Sequence, residues 1–118
     1  MNTREKLSLT LTAFISYFVL SLAYYYPVSV RPYIETFYII SFLILALIMV
    51  ANPNHLMEEY FDNNKEKLTS KFYEQHSIIS GSIFLIMLII LNFKMLAILY
   101  TLLTVYEYYY RHDYFKNK

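Results

Sequence analysis

Four long apolar runs occupy most of this 118-residue chain, and no charged side chain lies in the middle of any of them. The runs cover residues 7–26, 33–51, 77–91 and 95–110. A helix needs about 20 apolar residues to cross the roughly 30 Å hydrocarbon core of a bilayer, and the first two runs have that length. The pattern therefore predicts an all-α integral membrane protein, with one membrane domain over residues 1–118 and four transmembrane helices.

The composition supports a lipid environment and excludes several classes of site. Hydrophobic residues make up 58% of the chain and charged residues 16%, whereas a soluble domain is about 45–50% apolar and about 25% charged. A net charge of +1 gives no basic excess for nucleic acid. The absence of cysteine excludes disulfides, thiolate zinc sites and iron–sulfur clusters. We expect a multi-pass protein of the cell membrane.

Tyrosine is the unusual residue, with 14 copies and no tryptophan. Most tyrosines gather at the ends of the apolar runs: Tyr24, Tyr25, Tyr26, Tyr33, Tyr38, Tyr106, Tyr108, Tyr109 and Tyr110. A phenol has an apolar ring and a polar tip, so such clusters are typical of the aromatic belts at a membrane surface. The alternative interpretation is a stacking platform for a ligand.

Residues 77–110 are the ambiguous stretch, because one helix of that length would measure about 51 Å at 1.5 Å per residue. The polar residues Asn92 and Lys94 predict a turn that divides the stretch into two short spans. The turn lacks glycine and proline, the usual turn residues. A single long kinked helix therefore remains the alternative.

The placement of basic residues favours four spans. With four spans, one side of the membrane carries eight Lys and Arg residues: Arg4, Lys6, Lys65, Lys67, Lys71, Arg111, Lys116 and Lys118. The other side carries only Arg31 and Lys94. Basic residues accumulate on the cytoplasmic side, so we expect both termini in the cytoplasm.

The same topology places an amphipathic cytoplasmic loop, residues 52–76, between the second and third spans. In that loop we expect Asn54 to cap a short helix. Leu68 and Phe72 stand four residues apart and should share one apolar face of a second helical piece.

The loop also holds the only grouping of possible metal ligands. His55, Glu58, Glu59 and Asp62 are separated by three, four and seven residues, which places them on one face of a helix. Imidazole and carboxylate groups suit zinc, iron or manganese. The chain offers no second set of ligands to close such a site, so these four are weak candidates, and we expect neither a metal nor another cofactor.

Two acid–base pairs stand near the ends of the predicted spans. Arg31 and Glu35 are four residues apart, as are Glu107 and Arg111. Side chains at i and i+4 are neighbours on a helix, so we expect interfacial charge pairs. A proton or cation site is the alternative.

Small residues mark narrow stripes on the third and fourth runs. The candidates for helix packing or pore lining are Ser77, Ser80, Gly81, Ser82, Ala97, Thr101 and Thr104. Small side chains allow helix backbones to approach closely in a membrane, and hydroxyl groups can hydrogen-bond across the contact.

The apolar run interiors argue against transport and redox chemistry, because no ionisable group stands there to relay protons and no histidine could bind haem in the bilayer. We expect a non-catalytic structural or accessory subunit of a larger integral-membrane complex. Its partners would be the bilayer and other integral subunits or copies of itself. One alternative is a small homo-oligomeric pore, holin-like or a defence-effector channel. Another is an interfacial metal-dependent membrane enzyme built on the four weak ligand candidates.

Overall fold

The computed structural model describes residues 3–116, which are almost entirely helical and contain no strand. The six α-helices are α1 (Thr3–Tyr25), α2 (Arg31–Ala51), α3 (Leu56–Asn63), α4 (Lys65–Thr69), α5 (Lys71–Ile90) and α6 (Lys94–Lys116). A 3₁₀ turn, Pro53–His55, links α2 to α3. The predicted all-α class is confirmed.

Three of the four long helices, α1, α2 and α5, are long and apolar enough to cross a membrane. Among the described residues, α6 is not in that set, although it has 23 residues. Its second half is rich in tyrosine and carries Glu107, Arg111 and Asp113, which lower its mean hydropathy. The apolar part of the fourth predicted span is therefore short.

Residues 77–110 form a helical hairpin and not one kinked helix. The turn depends on Asn92, which has φ 64°; asparagine is one of the few residues that tolerate this left-handed conformation. The amide of Phe93 then donates to the carbonyl of Leu88 at 2.9 Å, which closes the turn.

The two helices of the hairpin are longer than the predicted spans. Helix α5, which contains the third predicted span, begins at Lys71 and not at residue 77. The Ser70 hydroxyl accepts a hydrogen bond from the Tyr73 amide at 3.1 Å and caps the helix there. Helix α6, which contains the fourth predicted span, continues to Lys116, beyond residue 110. Helix α5 therefore extends into the predicted loop of residues 52–76, and residues 52–70 connect α2 to α5.

The four long helices form a bundle in which α1 contacts α2 and α5, and α6 contacts α2 and α5. Near the start of α1, Lys6 Nζ lies 5.1 Å from the centre of the Phe72 ring at the start of α5. Near the end of α6, the Tyr106 hydroxyl donates to the carbonyl of Met49 at 3.4 Å. These helix ends therefore share one end of the bundle, which residues 52–70 cover, and we call it the loop end.

The opposite end, the turn end, holds the α1–α2 and α5–α6 connections. There the Arg31 guanidinium lies 4.1 Å from the centre of the Phe93 ring. The apolar core at this end includes Leu20, Ala23, Ile34, Leu88, Leu91, Phe93 and Leu96, and it continues into the bundle through Phe42 and Phe84. A separate core at the loop end consists of Met57, Phe61 and Leu68, with side chains from α2, α5 and α6 packed around it.

The segment that covers the loop end begins with a tight reversal of the chain. Asn52, Asn54 and His55 all have positive φ, at 45°, 54° and 57°. The side chain of Asn52 accepts the amide of Met57 at 3.0 Å, so Asn52 supplies the cap to α3. The prediction that Asn54 would do so was wrong.

Leu68 and Phe72 do not share one amphipathic helix. The chain becomes extended at Ser70, with ψ 146°, and this break separates α4 from α5. Leu68 is buried in the loop-end core, whereas Phe72 belongs to α5 and stacks on His76.

Candidate functional site

A cavity of about 370 Å³ lies between the two cores and is lined by all four long helices. We call it the chamber. Four phenols and an imidazole line it: Tyr17, Tyr38, Tyr73, Tyr100 and His76. Smaller hydroxyl groups come from Thr12, Ser16, Ser77, Ser80 and Thr104. Among the described residues, the lining contains no Asp, Glu, Lys or Arg side chain. The chamber surface is therefore mostly apolar, with hydroxyl groups and one imidazole but no carboxylate, ammonium or guanidinium group.

The phenols cross the chamber from one helix to another. The Tyr17 hydroxyl on α1 lies 3.0 Å from both the carbonyl oxygen and the hydroxyl oxygen of Ser80 on α5. The Tyr38 hydroxyl on α2 lies beside Ser16 on α1. These contacts tie the first half of the chain to the second inside the bundle.

Aromatic rings form one wall of the chamber. The Phe84 ring centre lies 4.9 Å from that of Tyr100 and 5.7 Å from that of Tyr38. Phe42 packs against Tyr100 at 6.1 Å. Rings at these separations and tilts make favourable edge and offset contacts, so the wall is fixed in shape.

Gly81 makes room for that wall. A Cβ atom at this position would stand 2.8 Å from the Tyr100 hydroxyl oxygen, which is closer than van der Waals contact. The single glycine of the chain therefore lets the phenol of α6 lie directly against the backbone of α5.

The chamber is closed toward the turn end. Leu20 and Leu88 are fully buried there, and Leu96 is 1% exposed. Side chains packed to this degree leave no space for water. In the described part of the chain, the chamber is thus a pocket with a closed end and not a path through the bundle.

The small residues predicted for packing or pore lining divide between two surfaces. Ser77, Gly81 and Thr104 line both the chamber and a second cavity of about 250 Å³ between α5 and α6, which we call the groove. Ser80 lines the chamber but not the groove, and Ala97 packs against the turn-end core.

Ser82 and Thr101 line only the groove, and both side chains are exposed on the outer surface. The Ser82 hydroxyl donates to the carbonyl of Ile78 at 2.7 Å, and that of Thr101 to the carbonyl of Ala97 at 2.8 Å. Each hydroxyl is therefore satisfied within its own helix.

Two of the four weak metal-ligand candidates, Glu58 and Asp62, accept hydrogen bonds at the loop end. Glu58 accepts hydrogen bonds from the Tyr110 hydroxyl at 2.7 Å and from the Asn52 amide at 2.6 Å. These two bonds, the first above all, hold the pKa of Glu58 below its ordinary value. His55 Nδ1 lies 4.0 Å from Glu58, and its side chain is exposed.

Asp62 accepts a hydrogen bond from the Tyr114 hydroxyl at 2.7 Å, and Glu59 is exposed. Among residues 3–116, no group of three His, Cys, Asp or Glu side chains could hold a metal ion. The carboxylates of Glu58 and Asp62 thus attach α3 to α6.

The two predicted charge pairs differ. Arg111 is 5% exposed, and its Nε lies 3.6 Å from Glu107 Oε1. Its guanidinium also lies 5.1 Å from the centre of the Tyr73 ring, while Nη1 is buried without a hydrogen-bond partner among the described residues. In the described part of the chain, no ion pair joins Arg31 to Glu35. The Arg31 guanidinium lies instead over the Phe93 ring at the turn end.

Sequence reasoning missed the chamber residues Tyr17, Tyr38, Tyr100 and His76. One signal for them existed: Tyr17 and Tyr100 lie inside apolar runs and not at their ends. A phenol in a run interior needs a hydrogen-bond partner or a polar cavity. It therefore points to the bundle interior, unlike the tyrosines of an aromatic belt.

The fold defines a class, that of helical proteins with several helices able to cross a membrane. Comparison with known proteins gives nothing more specific, since no family model, curated protein or solved structure matches the chain. The chamber, the groove and the loop end are thus the features from which function is inferred.

Proposed function

We propose that this protein is a non-catalytic accessory subunit of a larger complex in the cell membrane, and that a helix of another subunit packs in the groove between α5 and α6. The observation that carries the proposal is the outward position of Ser82 and Thr101 in that groove. Small side chains on an outer surface let a second helix approach closely, which is the usual basis of helix association in lipid.

The polar atoms of the groove do not oppose an apolar partner. Because the Ser82 and Thr101 hydroxyls donate to carbonyls of their own helices, a partner helix would leave neither of these two donors unsatisfied. Ile78, Leu85 and Val105 also line the groove and offer apolar contacts to a helix seated between them.

Other outward faces have the character of a lipid-facing surface. Phe14 and Phe18 on α1, Leu47 on α2 and Ile90 on α5 are each more than 60% exposed. Such large apolar side chains pack favourably against lipid tails, but they prevent the backbone of a helix from another subunit from approaching closely. The contrast favours the groove as the docking position.

The proposal includes a four-span topology with the loop end in the cytoplasm. Seven basic residues support it at that end: Arg4, Lys6, Lys65, Lys67, Lys71, Arg111 and Lys116. Arg31 and Lys94 begin helices at the turn end, and Lys118 lies outside the described residues. Such an asymmetry is typical of a cytoplasmic loop end.

Reporters fused to the two termini test this topology. We expect reporters at both ends to be active inside the cell and inactive outside it, because α1, α2, α5 and α6 would each cross once. A C-terminal reporter active only outside would show that α6 does not cross, and it would overturn the four-span arrangement.

The docking proposal is tested by extraction of the protein from its own membrane in a mild detergent, followed by native mass spectrometry. We expect the 14.2 kDa chain in fixed stoichiometry with at least one different subunit. Ser82→Phe would fill the groove and should remove that subunit. Leu47→Phe on the exposed face of α2 is the control and should leave the complex intact.

A homo-oligomeric pore is the second candidate function, and the exposed hydroxyls of Ser82 and Thr101 favour it specifically. They could face a shared channel among several copies, whereas the closed chamber prevents conduction through one bundle. In the same experiment, a homo-oligomer that releases dye from liposomes would replace the accessory-subunit proposal. A monomer without partners would overturn both.

We do not propose a metal-dependent enzyme, because phenols of α6 donate hydrogen bonds to the carboxylates of Glu58 and Asp62.

A further inference from the structure

We propose that the chamber binds an uncharged amphiphile of the quinone class, with a flat carbonyl-bearing ring inside the bundle and an apolar tail directed outward to lipid. This site adjoins the docking groove, but Ser82 and Thr101 line only the groove. The proposal is argued from the volume, charge and walls of the chamber and from the cavity beside it. Its volume of about 370 Å³ is in the range of small-molecule sites, about 300–1,000 Å³.

The absence of charged lining residues determines the charge of the ligand. A phosphate or carboxylate head group would enter without a Lys or Arg partner, and a metal ion or an amine without a carboxylate. Burying an unpaired ion is very costly. An uncharged ligand carries no such cost.

The shape and chemistry of the walls favour a flat ring with acceptor atoms. Phe84, Tyr38 and Tyr100 present aromatic surfaces to the chamber, and a flat ring can stack on them. The phenols of Tyr38 and Tyr100 are hydrogen-bond donors within the same wall. Without a ligand, the Tyr38 hydroxyl is hydrogen-bonded to Ser16 and that of Tyr100 to Thr104. A ring carbonyl is an acceptor to which these phenols can donate instead, while an aliphatic chain offers them no acceptor.

An adjoining cavity would hold the tail. A further cavity of about 260 Å³ lies between α1 and α5 and shares Ala13, Tyr17, His76 and Ser80 with the chamber. Its other lining includes the exposed apolar side chains of Phe14, Ile79 and Ile83. A tail placed there would contact lipid-facing surface.

His76 stands where the two cavities meet, because it lines both of them. Its ring is held by stacking on Phe72, with the ring centres 5.7 Å apart. An imidazole at this position can donate to a carbonyl on the edge of the ring nearest the adjoining cavity. Donors would then be present toward both edges of a bound quinone, Tyr38 and Tyr100 on one side and His76 on the other.

The probe for the test is a short-chain benzoquinone with one isoprene unit, titrated by calorimetry into the full-length protein in lipid nanodiscs. We expect saturable binding of one quinone per chain. Ser16→Phe would occupy the chamber and should weaken binding at least about tenfold. Tyr38→Phe keeps the wall but removes a donor, so it should weaken binding about three- to tenfold.

Two controls make the result decisive. Ser82→Phe adds the same side chain on the outer surface and should bind the quinone normally, even where it removes a partner subunit, so the two proposals fail separately. An isoprenoid alcohol of the same tail length should bind far more weakly than the quinone. The proposal is overturned if the quinone does not bind saturably, if folded Ser16→Phe binds it as well as the wild type, or if the alcohol binds equally well.

Discussion

Phe61→Ala should lower the free energy of unfolding by about 3–5 kcal/mol, the usual cost of removing a buried aromatic side chain. Phe61 is fully buried, and its ring contacts those of Tyr110, Tyr114 and Phe115 on α6 at 5.3–5.8 Å. It is the largest side chain of the loop-end core. Its removal would leave a cavity between α3 and α6 that the short helices cannot fill.

The loss should be measured by thermal unfolding in detergent, followed by circular dichroism. Limited proteolysis should in addition show faster cleavage within residues 52–70, because that segment would be held to α6 mainly by the Glu58 and Asp62 hydrogen bonds. Leu56→Ala, at an exposed position of the same helix, is the control. If the two variants lose equal stability, the loop-end core does not hold the segment in place.

Much of the helical architecture follows from the apolar runs themselves. A run of about 20 apolar residues without proline becomes a helix in either lipid or a protein core, and four runs gave four long helices. The limits of α5 were less predictable, because they depend on single polar contacts. The Ser70 cap sets the N-terminus of α5 at Lys71. The positive φ of Asn92 forms the turn after α5, where a glycine would be the usual residue.

The cap of α3 shows why short-range signals fail at such positions. Asn52 and Asn54 are equivalent in sequence terms, since both precede the same short helix and both are good capping residues. The positive φ values at residues 52, 54 and 55 turn the chain so that Asn52 reaches the Met57 amide. The Asn52 side chain also donates to Glu58, a contact that spacing alone does not predict.

The candidate site was predictable only in part. The stripes of small residues were identified from sequence, but their division between chamber and groove depends on how each helix is rotated in the bundle. The runs are apolar on all sides, so no polar face fixes that rotation in advance. The approach of Tyr17 to Ser80, across 63 positions of the chain, becomes visible only once α1 and α5 are packed together.

Arg111→Met should lower the free energy of unfolding by about 3 kcal/mol, because it leaves the half-buried carboxylate of Glu107 without its cation. Methionine keeps an unbranched apolar stem for packing on Tyr73, so the loss reports mainly the charge. Thermal unfolding in detergent is again the measurement. Lys116→Met, at an exposed position of the same helix, is the matched control and should cost less than about 0.5 kcal/mol.

The double variant Arg111→Met/Glu107→Met distinguishes two contributions of Arg111 to stability: neutralising the Glu107 carboxylate and contacting the Tyr73 ring. Within residues 3–116, Arg111 Nη1 is buried without a hydrogen-bond partner, so the attraction within the wild-type pair offsets its desolvation cost only in part. Replacing both charges by apolar side chains of similar volume is often neutral or stabilising. We therefore expect the double variant to regain most of the stability lost in Arg111→Met. A double variant as unstable as the single one would show that the Arg111 contact with Tyr73, and not the neutralisation of Glu107, stabilises this end of the bundle.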